Sequence, residues 1–218
     1  MSSKLNLRVA PLETMEPITT PLPARKASRW NSPYDGTGLQ PLVSVFMTQP
    51  AYSRICVHSV SDMYNEVGGI MVGEWCVDEN GEQFIIVDHA LPARFTRQSS
   101  VHLTFTQESL VDIHNEIDTH FKGKKIVGWY HTHPRMGIFL SHYDTWLHQH
   151  FFPEPWQVAL VVEPHSATGG IFIRQKNGNF DPSRYFGFHE LDGNFGRSMV
   201  FWTNLHLEEE EEGEASNE

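Results

Sequence analysis

The sequence predicts an α/β protein built on one mixed sheet. Two observations carry this. Segments with helical spacing alternate with short apolar runs from residue 42 to 191. One pair of those runs is joined by Asp78-Glu-Asn-Gly81, a tight turn that implies an antiparallel hairpin and so excludes a doubly wound parallel sheet. The chain has 218 residues, enough for one domain with tails.

Taken in order, LVSVFMTQ (42–49) reads as a strand. From Pro50, the residues Tyr52, Ile55, Cys56, Val60 and Met63 fall at helical spacing, with proline in the first turn. GGIMVGEWCV (68–77) and QFIIVDHAL (83–91) are the two strands of the hairpin. PARFTRQSS (92–100) is polar and reads as a loop. A second helix is expected from about Thr106 to Phe121, with Leu110, Ile113, Ile117 and Phe121 on one face. KIVGWYHTH (125–133) is an apolar strand that ends in histidines. A third helix starts near Ser141 and carries Tyr143, Leu147 and His150 on one face. WQVALVVE (156–163), IFIRQK (171–176) and YFGFHEL (185–191) are the last strands.

Residues 1–40 are rich in proline and lack a sustained apolar period, so they read as an extension, flexible or draped over the domain. The domain itself is expected over 41–192. Residues 193–218 form a C-terminal segment whose last eleven residues hold seven acids and no base. Most of the net charge of −11 therefore sits in that tail, and the mildly acidic body has no basic stripe for a phosphate backbone. Nucleic acid is not an expected partner. No apolar run reaches the ~18 residues of a membrane span, and the N-terminus lacks the apolar core of a signal peptide. A cytoplasmic protein with no membrane partner is the expectation. Cys56 and Cys76, the two cysteines, cannot make a disulfide framework or an all-cysteine metal site.

Histidine is the unusual count, at 13 against 16 for lysine and arginine together. The informative stretch is His131-Thr-His133-Pro-Arg-Met-Gly-Ile-Phe-Leu-Ser141-His-Tyr-Asp144. In a strand, side chains at i and i+2 share a face, so two imidazoles can aim at one point. Pro134 and Gly137 turn the chain, and Asp144 in the first turn of the next helix can add a carboxylate. Two histidines, a carboxylate and an open fourth position make the pattern of a catalytic zinc site. An isolated His-x-His is also found as two surface histidines, and Ser141-x-x-Asp144 is equally a capping box. His148-x-His150 serves as a control: on a helix the two side chains lie about 200° apart, so they are expected to be structural.

His-x-His, seven residues, Ser, two residues, Asp is the signature of the JAMM metalloproteases, also called MPN-plus, and this chain resembles that family at every fixed position. Glu66-Val-Gly68-Gly69-Ile-Met-Val-Gly73 upstream is similar to the family's glutamate context, and the resemblance covers about residues 42–190. It implies an MPN (JAB) domain, a mixed curved β-sheet flanked by helices and cytidine-deaminase-like. It implies one zinc ion on His131, His133 and Asp144, Glu66 as general base for a zinc-bound water, and Ser141 as oxyanion donor. The activity implied is that of a zinc metallopeptidase, an isopeptidase cutting after the C-terminal glycine of a ubiquitin-like protein. Activating- and conjugating-enzyme-like proteins are the implied further partners. The short chain favours the simpler type of member that trims ubiquitin-like or sulfur-carrier precursors. The alternatives are hydrolysis of another amide, such as a small peptide, and an MPN scaffold without activity. Two flanking segments bear on substrate holding. EPHSATGG (163–170) has one histidine, His165, and no cysteine, so a second zinc is not expected there. Arg94 to Leu103 reads either as an ordinary surface loop or as a segment that orders on binding and pairs as a strand with the extended tail of the substrate.

Overall fold

The computed structural model describes residues 15–93, 96–98, 103–105, 107–191 and 197–208. In chain order the elements are β1 (Ile18–Thr19), β2 (Ala27–Asn31), β3 (Ser44–Thr48), α1 (Gln49–Ser59), β4 (Gly68–Val77) and β5 (Gln83–Pro92). There follow β6 (Thr96–Gln98), β7 (Leu103–Phe105), α2 (Gln107–His120), β8 (Lys125–Thr132) and α3 (His142–Phe151). The chain then forms β9 (Val158–Glu163), β10 (Thr168–Phe172), β11 (Phe188–Leu191) and β12 (His206–Leu207).

The main sheet runs β10-β9-β8-β4-β5-β3-β11-β2-β12, with β1 beside the far end of β4. It is mixed, as expected. β4 is antiparallel to β5 and β8, while β8 and β9 are parallel, as are β3 and β5. Register shifts at Met71/Val72 and Val72/Gly73 on the two sides of β4 bend the sheet. Every residue of β9 is buried, as befits a central strand covered on both faces. On β8, Tyr130 is hydrogen-bonded to His58 of α1, while the indole N–H of Trp129 donates to His148 of α3. Neighbouring strand residues point to opposite faces, so α1 and α3 cover opposite sides of the strand that ends in the histidines. No helix among the described residues is long and apolar enough to cross a membrane.

The structure departs from the expected elements in five places. Helix α1 stops at Ser59, leaving Val60 55 % exposed and Met63 in a loop. The stop is local: Ser61 bonds back to the His58 carbonyl, and Asp62 accepts from the amides of Tyr64 and Asn65, an Asx turn that competes with the helix. Helix α3 buries Asp144, Leu147 and His148 and packs Tyr143 against the core, but His150, expected on the same face, is exposed. Strand β10 begins at Thr168 rather than 171, because Ala167 takes a left-handed conformation that closes a short hairpin from Glu163. Gly169 and Gly170 suit that strand, since a Cβ at either would meet the ring of Trp202 or Tyr185 at 2.4–2.6 Å. Residues 96–98 pair with 103–105, so part of the polar segment spends its hydrogen bonds within its own hairpin.

The fifth departure concerns the tails. β2, in the expected extension, lies between β11 and β12 in the main sheet. Its Trp30 donates to the buried Glu190, and Ser32 donates to the Tyr185 carbonyl. In the C-terminal segment Trp202 and Leu205 are buried, and the Phe201 amide donates to the hydroxyl of Tyr52. The sheet thus crosses the boundary expected at residue 41. The acidic tail beyond residue 208 lies outside the described residues.

A truncation starting at residue 41 should therefore melt at least ~10 °C below one starting at residue 15, which keeps every strand. Thermal unfolding of the two proteins decides the matter; equal melting temperatures would show that β2 is dispensable.

Candidate metal centre

The site forms where β8 runs out. His131 and His133 are both buried and on one face, with their Nε2 atoms 2.9 Å apart. His131 stacks on Trp129, with ring centroids 4.5 Å apart, and His133 packs beside Phe139. The His133 amide donates to the Val162 carbonyl, which extends the β8–β9 pairing one residue past the strand. Arg135 and Gly137 then take positive φ angles, and the chain turns back toward α3.

Asp144 arrives through a capping box. Ser141 is the N-cap: its hydroxyl accepts from the Asp144 amide at 3.1 Å, and Asp144 Oδ2 accepts from the Ser141 amide at 2.7 Å. The same carboxylate faces the histidines, with Oδ1 3.5 Å from His131 Nε2 and Oδ2 3.5 Å from His133 Nε2. Cap and candidate ligand, which the sequence leaves as alternatives, are one arrangement.

Glu66 reaches the site from the other side of β8. Its carboxylate is buried, with Oε1 4.0 Å from His133 Nε2. Thr132 places it. The side chain between the two histidines points away from them, accepts from the Val67 amide at 2.9 Å, and its own amide donates to the Val67 carbonyl. Gly68 pairs opposite His131 directly after. Thr132 has no role in the sequence pattern, where it is only the residue between two histidines; its β-branched hydroxyl was the available signal. Glu163 and His165, read from sequence as parts of a loop, also touch the loops around the site.

The electrostatics favour a cation. Burial would raise the Asp144 pKa, but hydrogen bonds from His131, His133 and Ser141 outweigh it and hold the carboxyl far below the usual range. Burial pushes the pKa of His131 down despite Asp144. At neutral pH the cluster therefore offers an anionic carboxylate and a neutral imidazole, the forms that bind metal. His131, His133 and Asp144 present ligand atoms all within 4.8 Å of one another. Ligands at ~2.1 Å from a tetrahedral zinc stand about 3.4 Å apart, close to the 2.9–3.5 Å between these atoms. The donor set and spacing fit the ion.

A mixed sheet with this histidine–aspartate centre at the end of a middle strand defines an MPN-type domain. Residues 41–152 match the family model described as JAB1/Mov34/MPN/PAD-1 ubiquitin protease, and the chain belongs to that family. The COP9 signalosome complex subunit 5 of Caenorhabditis elegans is 34 % identical over 118 residues, covering 52 % of this chain and 30 % of that protein. The NAD(+) hydrolase TcpA of a Theionarchaea archaeon is 33 % identical over 128 residues, 58 % of this chain and 36 % of its own. The 26S proteasome regulatory subunit rpn11 of Schizosaccharomyces pombe is 32 % identical over 148 residues, 63 % and 46 %. The chain thus spans less than half the length of these relatives.

Beneath the centre, His148 accepts from Trp129, stacks on Phe180, and has its pKa pushed down to about 3 by burial and by Arg174. It stays neutral when folded but takes up a proton on unfolding below pH 6.5, so its contribution is complete above that pH and is lost on acidification toward 3. His189, lowered to about 4 by burial and Arg29, acts in the same sense. Stability of the metal-free protein should fall between pH 6.5 and 5, and His148→Gln should remove ~1.5 kcal/mol of that fall. Urea unfolding at the two pH values measures it; the same fall in the variant would show that His148 titrates normally.

Proposed function

We propose that the chain is a zinc-dependent isopeptidase that hydrolyses the amide bond after the C-terminal glycine of a ubiquitin-like protein. The observation that carries this reading is the buried cluster of His131, His133 and Asp144 with the carboxylate of Glu66 beside it. A zinc ion held by the three ligands would supply Lewis acidity, lowering the pKa of a coordinated water toward ~7.

The chain's own residues do the rest. Glu66, flanking the ligands, accepts the proton of the attacking water and returns it to the departing amine, so the amine leaves neutral. Its burial at 2 % exposure keeps bulk water from competing for that proton. Ser141 accepts a hydrogen bond at its oxygen from Asp144 N, which leaves its own proton to donate to the oxyanion of the tetrahedral intermediate. The cap sets the direction of that hydroxyl. Family membership and the likeness to the COP9 and proteasome subunits support a ubiquitin-like protein or its conjugates as substrate, with activating- and conjugating-enzyme-like proteins as further partners. A second reading, hydrolysis of a different bond in a small molecule, draws on the likeness to a protein named as an NAD(+) hydrolase. Assaying a ubiquitin-like fusion, short peptides and NAD side by side separates the two: cleavage of NAD alone would replace the first reading with the second.

Asp144→Asn keeps an oxygen for the Ser141 amide but loses the anion, so it should lose zinc while the metal-free melting temperature stays close to wild type. Asp144→Ala should lose both zinc and ~1 kcal/mol of cap. Elemental analysis and thermal unfolding read the two effects, and full zinc in both variants would remove Asp144 from the ligand set.

Glu66→Gln should retain zinc and fold and lose at least ~10²-fold in kcat. Ser141→Ala should lose a similar ~10² in kcat, with some loss of stability from the cap. Rates on a ubiquitin-like fusion, measured beside melting temperature, test both; near-normal turnover in Glu66→Gln would point to another base.

A further inference from the structure

Glu163 ends β9, the strand that runs parallel to the histidine strand, with Val161 beside His131 and Val162 beside Thr132. The residue is 4 % exposed, and among the described residues no lysine or arginine forms an ion pair with it. Hydrogen-bond donors surround it instead. Oε1 accepts from the amides of Arg135 at 3.0 Å and His165 at 2.9 Å. Oε2 accepts from the amide of Ser166 at 2.9 Å and from the Ser166 hydroxyl. A buried carboxylate is costly unless its lone pairs are filled in this way.

The donors come from two different loops. Arg135 lies two residues after His133 and holds a left-handed φ of 63°, which a non-glycine residue adopts only where its surroundings impose it. His165 and Ser166 belong to the β9–β10 turn. From that turn the His165 ring reaches across to the third loop, its Nε2–H donating to the Met63 carbonyl at 2.8 Å, three residues before Glu66. A continuous chain of bonds thus runs from the loop of His133, through Glu163 and His165, to the loop of Glu66.

We infer that Glu163 is a positioning residue, a bracket that sets the loop of His133 and, with His165, the loop of Glu66 in fixed relation to one another. The carboxylate suits this role because it has two acceptor oxygens in one plane. An amide in its place has one, so a glutamine turned either way sets an NH₂ group against one of the two donor pairs. The inference rests on the hydrolase reading above, and its test has an arm that does not.

That arm is zinc affinity of the full chain, measured by competition with a chromophoric chelator. Glu163→Gln should bind zinc ~10-fold more weakly, as for loss of other outer partners of a metal site. Glu163→Asp, which keeps both oxygens at shorter reach, should fall between that variant and wild type. His165→Ala cuts only the link to Met63, so it should bind zinc as wild type does while kcat on a ubiquitin-like fusion falls ~5-fold at unchanged KM, the scale of one hydrogen bond. A generally loosened protein would not split zinc affinity from kcat in this way. Should Glu163→Gln fail to fold, the zinc affinity of Glu163→Asp decides. Wild-type affinity in the folded Glu163 variants overturns the bracket, as does a wild-type kcat in His165→Ala for its second half. A wild-type chain that binds zinc but cleaves no substrate would sink the hydrolase reading alone, leaving the zinc arm to judge Glu163.

Discussion

The carboxylate of Asp144 is the point on which the site turns. Through Oδ2 it completes the start of α3 by accepting from the Ser141 amide, and both oxygens face the paired histidines at 3.5 Å. A helix N-terminus favours a negative charge, so the helix itself helps keep this buried carboxylate ionised. Helix start and candidate ligand therefore share one interaction. A short polar rule of local structure, Ser at the cap and an acid three residues on, places the candidate ligand against the histidines.

The strands supply the other half. His131 and His133 need a backbone that does not move, and β8 lies between β4 and β9 in the middle of the main sheet, with its last residues fully buried. Thr132 uses the side of the strand that the histidines leave free. Its two bonds to Val67 bind the chain just after Glu66 to the chain between the histidines. The proposed base and the two proposed histidine ligands are thus fixed to the same two strand ends. Gly128 lets β8 and β9 approach, since a Cβ there would lie 2.2 Å from the Val158 carbonyl oxygen. Glu66 and His133 lie just outside the strands, on short loops that the sheet holds in place.

Much of this was legible in the chain because it is written in local patterns. The apolar runs marked β3, β4, β5, β8 and β9, and the hairpin turn announced the pairing of β4 with β5. His131, His133, Ser141 and Asp144 lie within fourteen residues, whereas Glu66 was reached only through the family resemblance and is otherwise one acid among many. What escaped depends on partners distant in sequence. β2 has five half-buried residues with no apolar period, and only its pairing with β11 and β12 makes it a strand. Glu190, which gathers Trp30, Gln49, Ser198 and the Met199 amide around one buried carboxylate, shows no pattern that a local reading could detect. Glu163 and His165 were hidden for the same reason: their partners Arg135 and Met63 lie 28 and 102 residues away. The end of α1 was missed for the opposite reason, because the Asx turn at Asp62 is a local signal that overrode an apolar spacing running on to Met63.

His131, His133 and Asp144 are proposed to hold a single zinc ion. X-ray absorption at the zinc edge, on the full chain loaded with one equivalent of zinc, tests it most directly. The expected result is a four-coordinate shell of nitrogen and oxygen at ~2.0–2.1 Å with the outer scattering of two imidazoles, and loss of that two-imidazole signature in His131→Ala. A six-coordinate all-oxygen shell, or an unchanged two-imidazole spectrum in that variant, would contradict it.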